Sequence, residues 1–335
     1  MLPLLVLACL SGAPGQCETT SEGVFSDQAS CQAAGRAFVP PEGAVKEAWT
    51  CGEGEFWVAE VAPGVFVHKG RQEEPGPGNG GDTANIGYVV GDEAVAVVDA
   101  GGSDAVAGAL LADIRARTDL PVRYLLLTHM HPDHVLGAGV VLRAGAEGLA
   151  HPAFAAGLAA RYDHYHAAYA REIGAGWSAD PAAPEVRVAP DTIDLGNRVL
   201  ELRRHGTGHT TNDMSVFDRA TGTWFMGDLV FLGHLPAIDA SVTGWQAGLA
   251  TAAEQPADRV VPGHGPVSAP WPQAAAPTVN YLTDLVETLR AEIRAGTPLI
   301  DLVTRETGTE QPGWLLSDSF HPRNVTTAWR ELEWE

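Results

Sequence analysis

Lysine is nearly missing from this 335-residue chain: only Lys46 and Lys69 occur, and 21 basic residues face 42 acidic ones for a formal charge of -21. Such a surface repels phosphate backbones, whose binding draws chiefly on Lys and Arg. No nucleic-acid partner is therefore expected, and the charge is read as a solubilising one. Cysteine is absent after Cys51; the four present are Cys9, Cys17, Cys31 and Cys51. No thiolate can then serve a site in the rest of the chain unless the N-terminal segment folds back onto it. Long apolar runs are also lacking. The longest at the start, Leu2 to Leu10, is too short to span a bilayer, so no integral membrane segment is expected. Neither a G-x-S-x-G nucleophile elbow nor a dinucleotide fingerprint occurs, which removes serine-hydrolase and Rossmann chemistry from consideration.

What is present divides the chain. The apolar run followed by Ser11, Gly12 and Ala13 resembles the end of an export signal, although no basic residue precedes Arg36. We expect a signal remnant at 1–16, a Cys-containing segment at 17–55 and one large domain at 56–335. Cysteines confined to a small module of an exported chain point to a disulfide, with Cys31–Cys51 the expected pair and Cys17 unpaired or removed. The implied location is periplasmic or secreted. A hydrophobic fraction of 45% and a charged fraction of 19% suit a folded globular domain.

Within that domain, Val58–Val67 reads as strand, turn, strand, and Arg71–Asp82 as a Gly/Pro-rich surface loop. Ile86–Val90 and Ala94–Val98 flank a Gly91-Asp92 turn. Ser103 caps a helix over Asp104–Arg117, with Val106, Leu110 and Ile114 at helical spacing. Val122–Leu127 is a buried strand, followed by helices over His134–Arg143 and Ala153–Ile173. A second strand-rich cycle runs from Glu185 to Met226, and further helices are expected at Val242–Ala253, Thr278–Ala295, Leu299–Glu306 and Arg323–Glu331, the last two separated by Gly313 and Pro322. Two strand-rich halves, each with helices, imply an α/β fold arranged as a four-layer αββα sandwich.

The chemistry concentrates in Thr128-His129-Met130-His131-Pro132-Asp133-His134, directly after the apolar strand. Alternate residues of an extended segment share a face, so His129, His131 and Asp133 can converge while His134 turns in from the next helix. Imidazole with carboxylate suits Zn²⁺ and similar divalent ions. The stretch resembles the H-x-H-x-D-H signature of the metallo-β-lactamase superfamily. Val98-Asp99-Ala100-Gly101, Thr207-Gly208-His209-Thr210, Met226-Gly227-Asp228 and Pro262-Gly263-His264-Gly265 follow the family's remaining motifs in order, each expected at a strand end. The likeness spans about Val58 to Ser268.

This resemblance implies a ligand set: His129, His131 and His209 on one metal, Asp133, His134 and His264 on a second, and Asp228 bridging them. Asp99 would orient the ligand loop without touching metal. The implied cofactors are two Zn²⁺ about 3.5–4 Å apart, with iron or manganese as alternatives. The implied reaction is hydrolysis of an ester, thioester, lactone or amide of a small molecule through a metal-bridging hydroxide, with Asp133 as the catalytic carboxylate. The closest likeness is to SoxH-like, quinoprotein-relay-associated zinc metallohydrolases. It rests on the Cys-containing preface, Val65-Phe66-Val67-His68, and the ending Phe320-His321-Pro322-Arg323-Asn324-Val325. It implies a tie to periplasmic PQQ-dependent oxidation and association with a quinoprotein system. Three alternatives stay open: a mononuclear iron persulfide dioxygenase, a β-lactamase, and a non-catalytic metal-binding accessory protein. His68, His151, His205, His234 and His321 are read as ordinary surface or core residues. His164 and His166 point apart on their helix, and with Tyr162 and Tyr165 they are a weaker candidate for a lid.

Overall fold

The computed structural model describes residues 2–10, 17–25, 30, 34, 37–40, 44–51 and 56–335. Before residue 56 it holds a small antiparallel sheet in which Leu2–Leu10 lies between Cys17–Phe25 and Ala44–Cys51. The apolar run expected to end an export signal is thus the central strand of that sheet. Cys31 of the expected Cys31–Cys51 pair lies outside the described residues, as do positions 11–16.

Two larger sheets build the rest. The first has seven strands in the order Arg187–Val188, Glu147–Ala150, Val122–Leu126, Val95–Val98, Ile86–Val90, Val65–His68 and Val58–Ala62. Its first four strands run parallel and its last four antiparallel, with Val95–Val98 belonging to both sets. The second has six strands: Thr192–Asp194, Val199–Arg204, Met214–Asp218, Thr223–Phe231, Arg259–His264 and Ala269–Pro270.

The alternation of side chains along each strand decides the layering. Ala96, Val98 and Leu126 of the first sheet join Leu200, Leu202, Val216, Phe225 and Val261 of the second in one core. Val95, Val97 and Leu125 point the other way, onto Val106, Leu110 and Ile114 of the helix Asp104–Arg117. On the far face of the second sheet, Trp224, Met226 and Val260 pack on Trp245, Leu282, Leu289 and Trp329. Neighbours such as Trp224 and Phe225, or Val260 and Val261, therefore enter different cores. This is the expected α/β four-layer αββα arrangement, and each such buried side chain contributes about 1.5–3 kcal/mol. Among the described residues, no helix is long and apolar enough to cross a membrane.

Several helices differ from the expected spans. His134–Arg143 is two pieces, Pro132–Val135 and Ala138–Arg143. Gly137 breaks it: its N–H donates to the Gly101 carbonyl, and a Cβ there would collide with the Ala100 carbonyl. Ala153–Ile173 likewise divides into Phe154–Ala159 and Tyr162–Ile173. The C-terminal helix runs Ser317–Leu332 and includes Pro322 instead of starting beyond it. Pro322 lies in the second turn, where the helix forgoes one bond to the Asp318 carbonyl, and the packing of the flanking His321 on Tyr281 and the bonds of Asn324 hold the helix there. The strand Glu147–Ala150 was not expected; only four residues long, it has no periodicity to read.

Candidate metal centre

All seven predicted donors meet where the ends of the two sheets come together. His129 follows the strand Val122–Leu126, and the Thr128 carbonyl accepts from Met214 N of the other sheet at 2.7 Å. His131 occupies the N-terminal cap position of the helix Pro132–Val135, which carries Asp133 and His134. The alternation argument thus holds for His129 and His131, whereas Asp133 enters from a helical turn. His209 lies in the loop between Val199–Arg204 and Met214–Asp218. His264 ends its strand. Asp228 does not sit at a strand end as expected: it lies inside the nine-residue strand Thr223–Phe231, where the register to the neighbouring strand shifts after Gly227. A bulge re-aims a side chain without ending the strand. Gly263 is needed opposite it, because any Cβ would strike Asp228 Oδ1.

The donors fall into two groups, His129, His131, His209 and Asp228 in one, and Asp133, His134 and His264 in the other. Within each group one ligand atom per residue lies within 4.8 Å of all the others. Asp228 touches both: its carboxylate is 3.3 Å from His209 Nε2 and 3.6 Å from His129 Nε2, and 3.1 Å from His134 Nε2 and 3.4 Å from His264 Nε2.

Hydrogen bonds at the back of each ring fix which nitrogen faces inward. His134 Nδ1 donates to Asp99 Oδ2 at 2.8 Å, His209 Nδ1 to the Ala237 carbonyl at 2.6 Å, and His264 Nδ1 to the Thr83 carbonyl at 3.0 Å. His129 Nδ1 lies 3.0 Å from Thr128 Oγ1, which itself donates to Asp99 Oδ2. Each of these four therefore presents Nε2. His131 is reversed: Nδ1 faces His209 Nε2 at 2.9 Å, and Nε2 lies 3.4 Å from Asp239 Oδ2. Asp99 holds a left-handed backbone, φ 59°, a conformation that short polar side chains tolerate best. Its carboxylate also accepts from Thr128 N and Oγ1, each at 2.8 Å, and so ties Thr128, the residue before His129, to His134.

Burial shapes the charges. It strips the proton from His129 well below the usual imidazole range and takes His209 to about 3, with the neighbouring histidines adding to both effects. Burial opposes a proton on His134 and His264 as well, but Asp228, with Asp133 and, for His134, Asp99, outweighs it and raises both. Burial alone would raise Asp228, yet His264, His134 and His129 hold it well below the carboxylate range.

A divalent cation fits this donor set. His129 Nε2, His134 Nε2 and Asp228 Oδ1 are buried, and although the last two are 3.1 Å apart, none of the three makes an aligned hydrogen bond. Each orphaned polar atom costs about 1–3 kcal/mol, a cost that ligation removes.

A cavity of about 300 Å³ opens over the donors, lined by His131, Asp133, Asp228 and His264 together with Phe231, His234, Ile238, Phe320 and Arg323. A larger cleft of about 1140 Å³ beside the helix Ala276–Ala295 includes none of the seven donors. His234, expected to be an ordinary residue, is a wall of the smaller cavity, its ring 4.6 Å from that of His264. The others fit that expectation. His68 is buried between Asp82 and the Trp57 carbonyl, His205 meets Ser215 and is lowered to about 4 by burial, and His321 meets Tyr281. Of the candidate lid, Tyr165 reaches His131 with ring centroids 6.4 Å apart, while His166 packs on Trp177 and His164 is exposed. Asp239 and Arg161, paired at 2.5 Å, were missed; neither belongs to a motif. The loop 71–82, expected only as surface, contributes Glu73, Glu74 and Pro75 to the cavity rim.

The Metallo-beta-lactamase superfamily model matches residues 79–264. Among solved structures, a metallo-beta-lactamase from Pontibacter korlensis superposes with a TM-score of 0.56 at 22% identity, covering 68% of this chain and 99% of that one. A stereoselective inverting sec-alkylsulfatase from Pseudomonas sp. gives 0.59 at 16%, covering 82% of this chain and 50% of that one. A beta-lactamase domain protein from Burkholderia ambifaria gives 0.54 at 20%, covering 71% and 80%. At these identities the structural likenesses establish the fold, and the family match spans more than half of the chain, motifs included. The chain belongs to the metallo-beta-lactamase superfamily.

Proposed function

We propose that the protein is a dinuclear zinc hydrolase of small-molecule esters, thioesters, lactones or amides. One observation carries this: seven imidazole and carboxylate donors form two adjoining groups that share the buried Asp228, with inward-facing atoms left unpartnered. His129, His131 and His209 would hold one ion, Asp133, His134 and His264 the other, and Asp228 both. Two such ions supply an activated water nucleophile and Lewis-acid polarisation of the scissile carbonyl.

The chain's own residues do the rest. Asp133 is partly exposed to the cavity and accepts from Thr83 Oγ1 at 3.4 Å. It is the carboxylate placed to orient the attacking water and take its proton, a role worth about 10²–10⁴ in rate. Phe231, Ile238 and Phe320 form an apolar wall that limits water around the reacting group. The cavity volume suits a compact substrate. Cysteines confined to the first 51 residues support a periplasmic or secreted location with a Cys31–Cys51 disulfide. The C-terminal Phe320–Val325 motif supports an association with a periplasmic quinoprotein system.

Metal analysis of the purified protein, paired with a panel of thioester, lactone, β-lactam and secondary alkyl sulfate substrates, tests the reading. Two zinc per chain is expected, with turnover abolished by chelation, restored by zinc, and reduced about a hundredfold or more in Asp133→Asn. One iron per chain with oxygen uptake on a persulfide would establish the dioxygenase instead. Bound metal with no turnover on any substrate would establish an accessory protein.

A further inference from the structure

The superfamily match ends at residue 264, yet the helix Ser317–Leu332 reaches back to the centre. Asn324 is buried, and all its polar atoms are committed to a four-residue strap, Pro236–Asp239, and to Tyr281. Its Oδ1 accepts from Ile238 N at 2.9 Å, and its Nδ2 donates to the Pro236 carbonyl at 2.6 Å and to Tyr281 Oη at 2.9 Å. The residue between those two anchor points is Ala237, whose carbonyl holds His209 Nδ1. Asp239, which ends the strap, donates its N–H to the His209 carbonyl at 3.1 Å and turns its carboxylate to His131 Nε2. The same helix grips the other flank of His209. Glu331 accepts from Ser241 Oγ at 2.9 Å and Val242 N at 2.7 Å, while Ser241 N donates to the Gly208 carbonyl at 2.9 Å.

We propose that Asn324 is a positioning residue for the first donor group: through the strap Pro236–Asp239 it sets the orientation of His209 and His131, and so governs the affinity of one metal position and not the other. The second group has separate supports, Asp99 behind His134 and the Thr83 carbonyl behind His264. The inference rests on the metal-binding reading above, but it does not depend on which substrate is cleaved. A side-chain amide suits the task because it accepts and donates at once, pinning two backbone groups on either side of one carbonyl.

The two positions are separated by working in two single-site backgrounds, His264→Ala and His129→Ala, and titrating each with zinc alone against a chromophoric chelator. In the His264→Ala chain, adding Asn324→Ala weakens zinc binding about tenfold to a hundredfold, the range for loss of a ligand's supporting contact. In the His129→Ala chain the same change leaves zinc binding within about twofold. Asn324→Asp keeps the acceptor for Ile238 N but sets a carboxylate oxygen against the Pro236 carbonyl; it too weakens binding in the His264→Ala chain only, and its retained contact to Ile238 makes it the second variant if the alanine one does not fold. Equal weakening in both backgrounds marks a general structural role and overturns the proposal, as does no weakening in either. If the unaltered chain binds no zinc, the metal reading falls too; if it binds two and neither background binds any, Asn324→Ala in the unaltered chain carries the test by releasing one ion and not both, whereas zinc binding without turnover leaves this inference intact.

Discussion

The two donor groups meet at one carboxylate but are held by different forces. The first is a geometric construction. His129 and His131 come from the first sheet and His209 from a loop of the second, and the strap Pro236–Asp239 ties the last two together. Burial leaves His129 and His209 uncharged through the neutral range. The second group is an electrostatic one: His134 and His264 share the field of Asp228 and Asp133, which raises both above the usual imidazole value. The contrast teaches that a shared carboxylate does not make two donor groups equivalent. One depends on its scaffold, the other on charge.

The largest effect is expected where the distinction vanishes. Asp228→Asn removes the carboxylate common to both groups, and zinc affinity should fall more than about a hundredfold at both positions, beyond what a supporting residue costs. Retention of two tightly bound zinc ions, read by metal analysis after dialysis, would break the shared-residue account. Asp99→Asn is the next test. Asp99 contacts His134 directly and His129 only through Thr128. The second position should therefore weaken about tenfold to a hundredfold and the first by less, measured in the same single-site backgrounds.

A pH series sharpens the comparison further. His134 and His264 keep protons above the ordinary value of about 6.5, so a cation entering the second group displaces them. Zinc affinity there should rise as pH rises above about 6.5, and calorimetry in buffers of different ionisation enthalpy should register proton release. His129 and His209 contribute no protons in that window. The sign for stability is opposite. In the chelated protein, the support from the two raised histidines is complete below about pH 6.5 and is lost as pH climbs through their folded values. A flat zinc-affinity profile at the second position would remove the electrostatic half of the contrast. The smallest effect is that of His164→Ala, whose ring is exposed and outside both groups; zinc content and melting temperature should not change.

The donors were legible because each stands in a compact motif beside glycine, proline or a strand, where local spacing alone constrains backbone direction. The layering was legible for a similar reason: alternation along Val95–Val98 and Thr223–Phe231 records which face is covered. Other features left no trace. Asp228 looks like any Gly-Asp strand end until the bulge places it mid-strand. His234, six residues further on, reads as background, because nothing in Leu232-Gly233-His234 reveals that Phe231 and Phe320 enclose it beside His264. Pro322 looked like a helix boundary because proline's local preference was legible while the packing that overrides it was not.

Taken by itself, the amino-acid order determined which side chains are candidate metal donors, their grouping into ordered motifs, and the class of fold that brings strand ends together. Only the tertiary structure decided how those side chains are aimed. Two of the contacts that aim them are backbone carbonyls, Thr83 behind His264 and Ala237 behind His209, and a carbonyl is the same group in every residue. Its role depends on where the chain passes in space, so no residue type announces it.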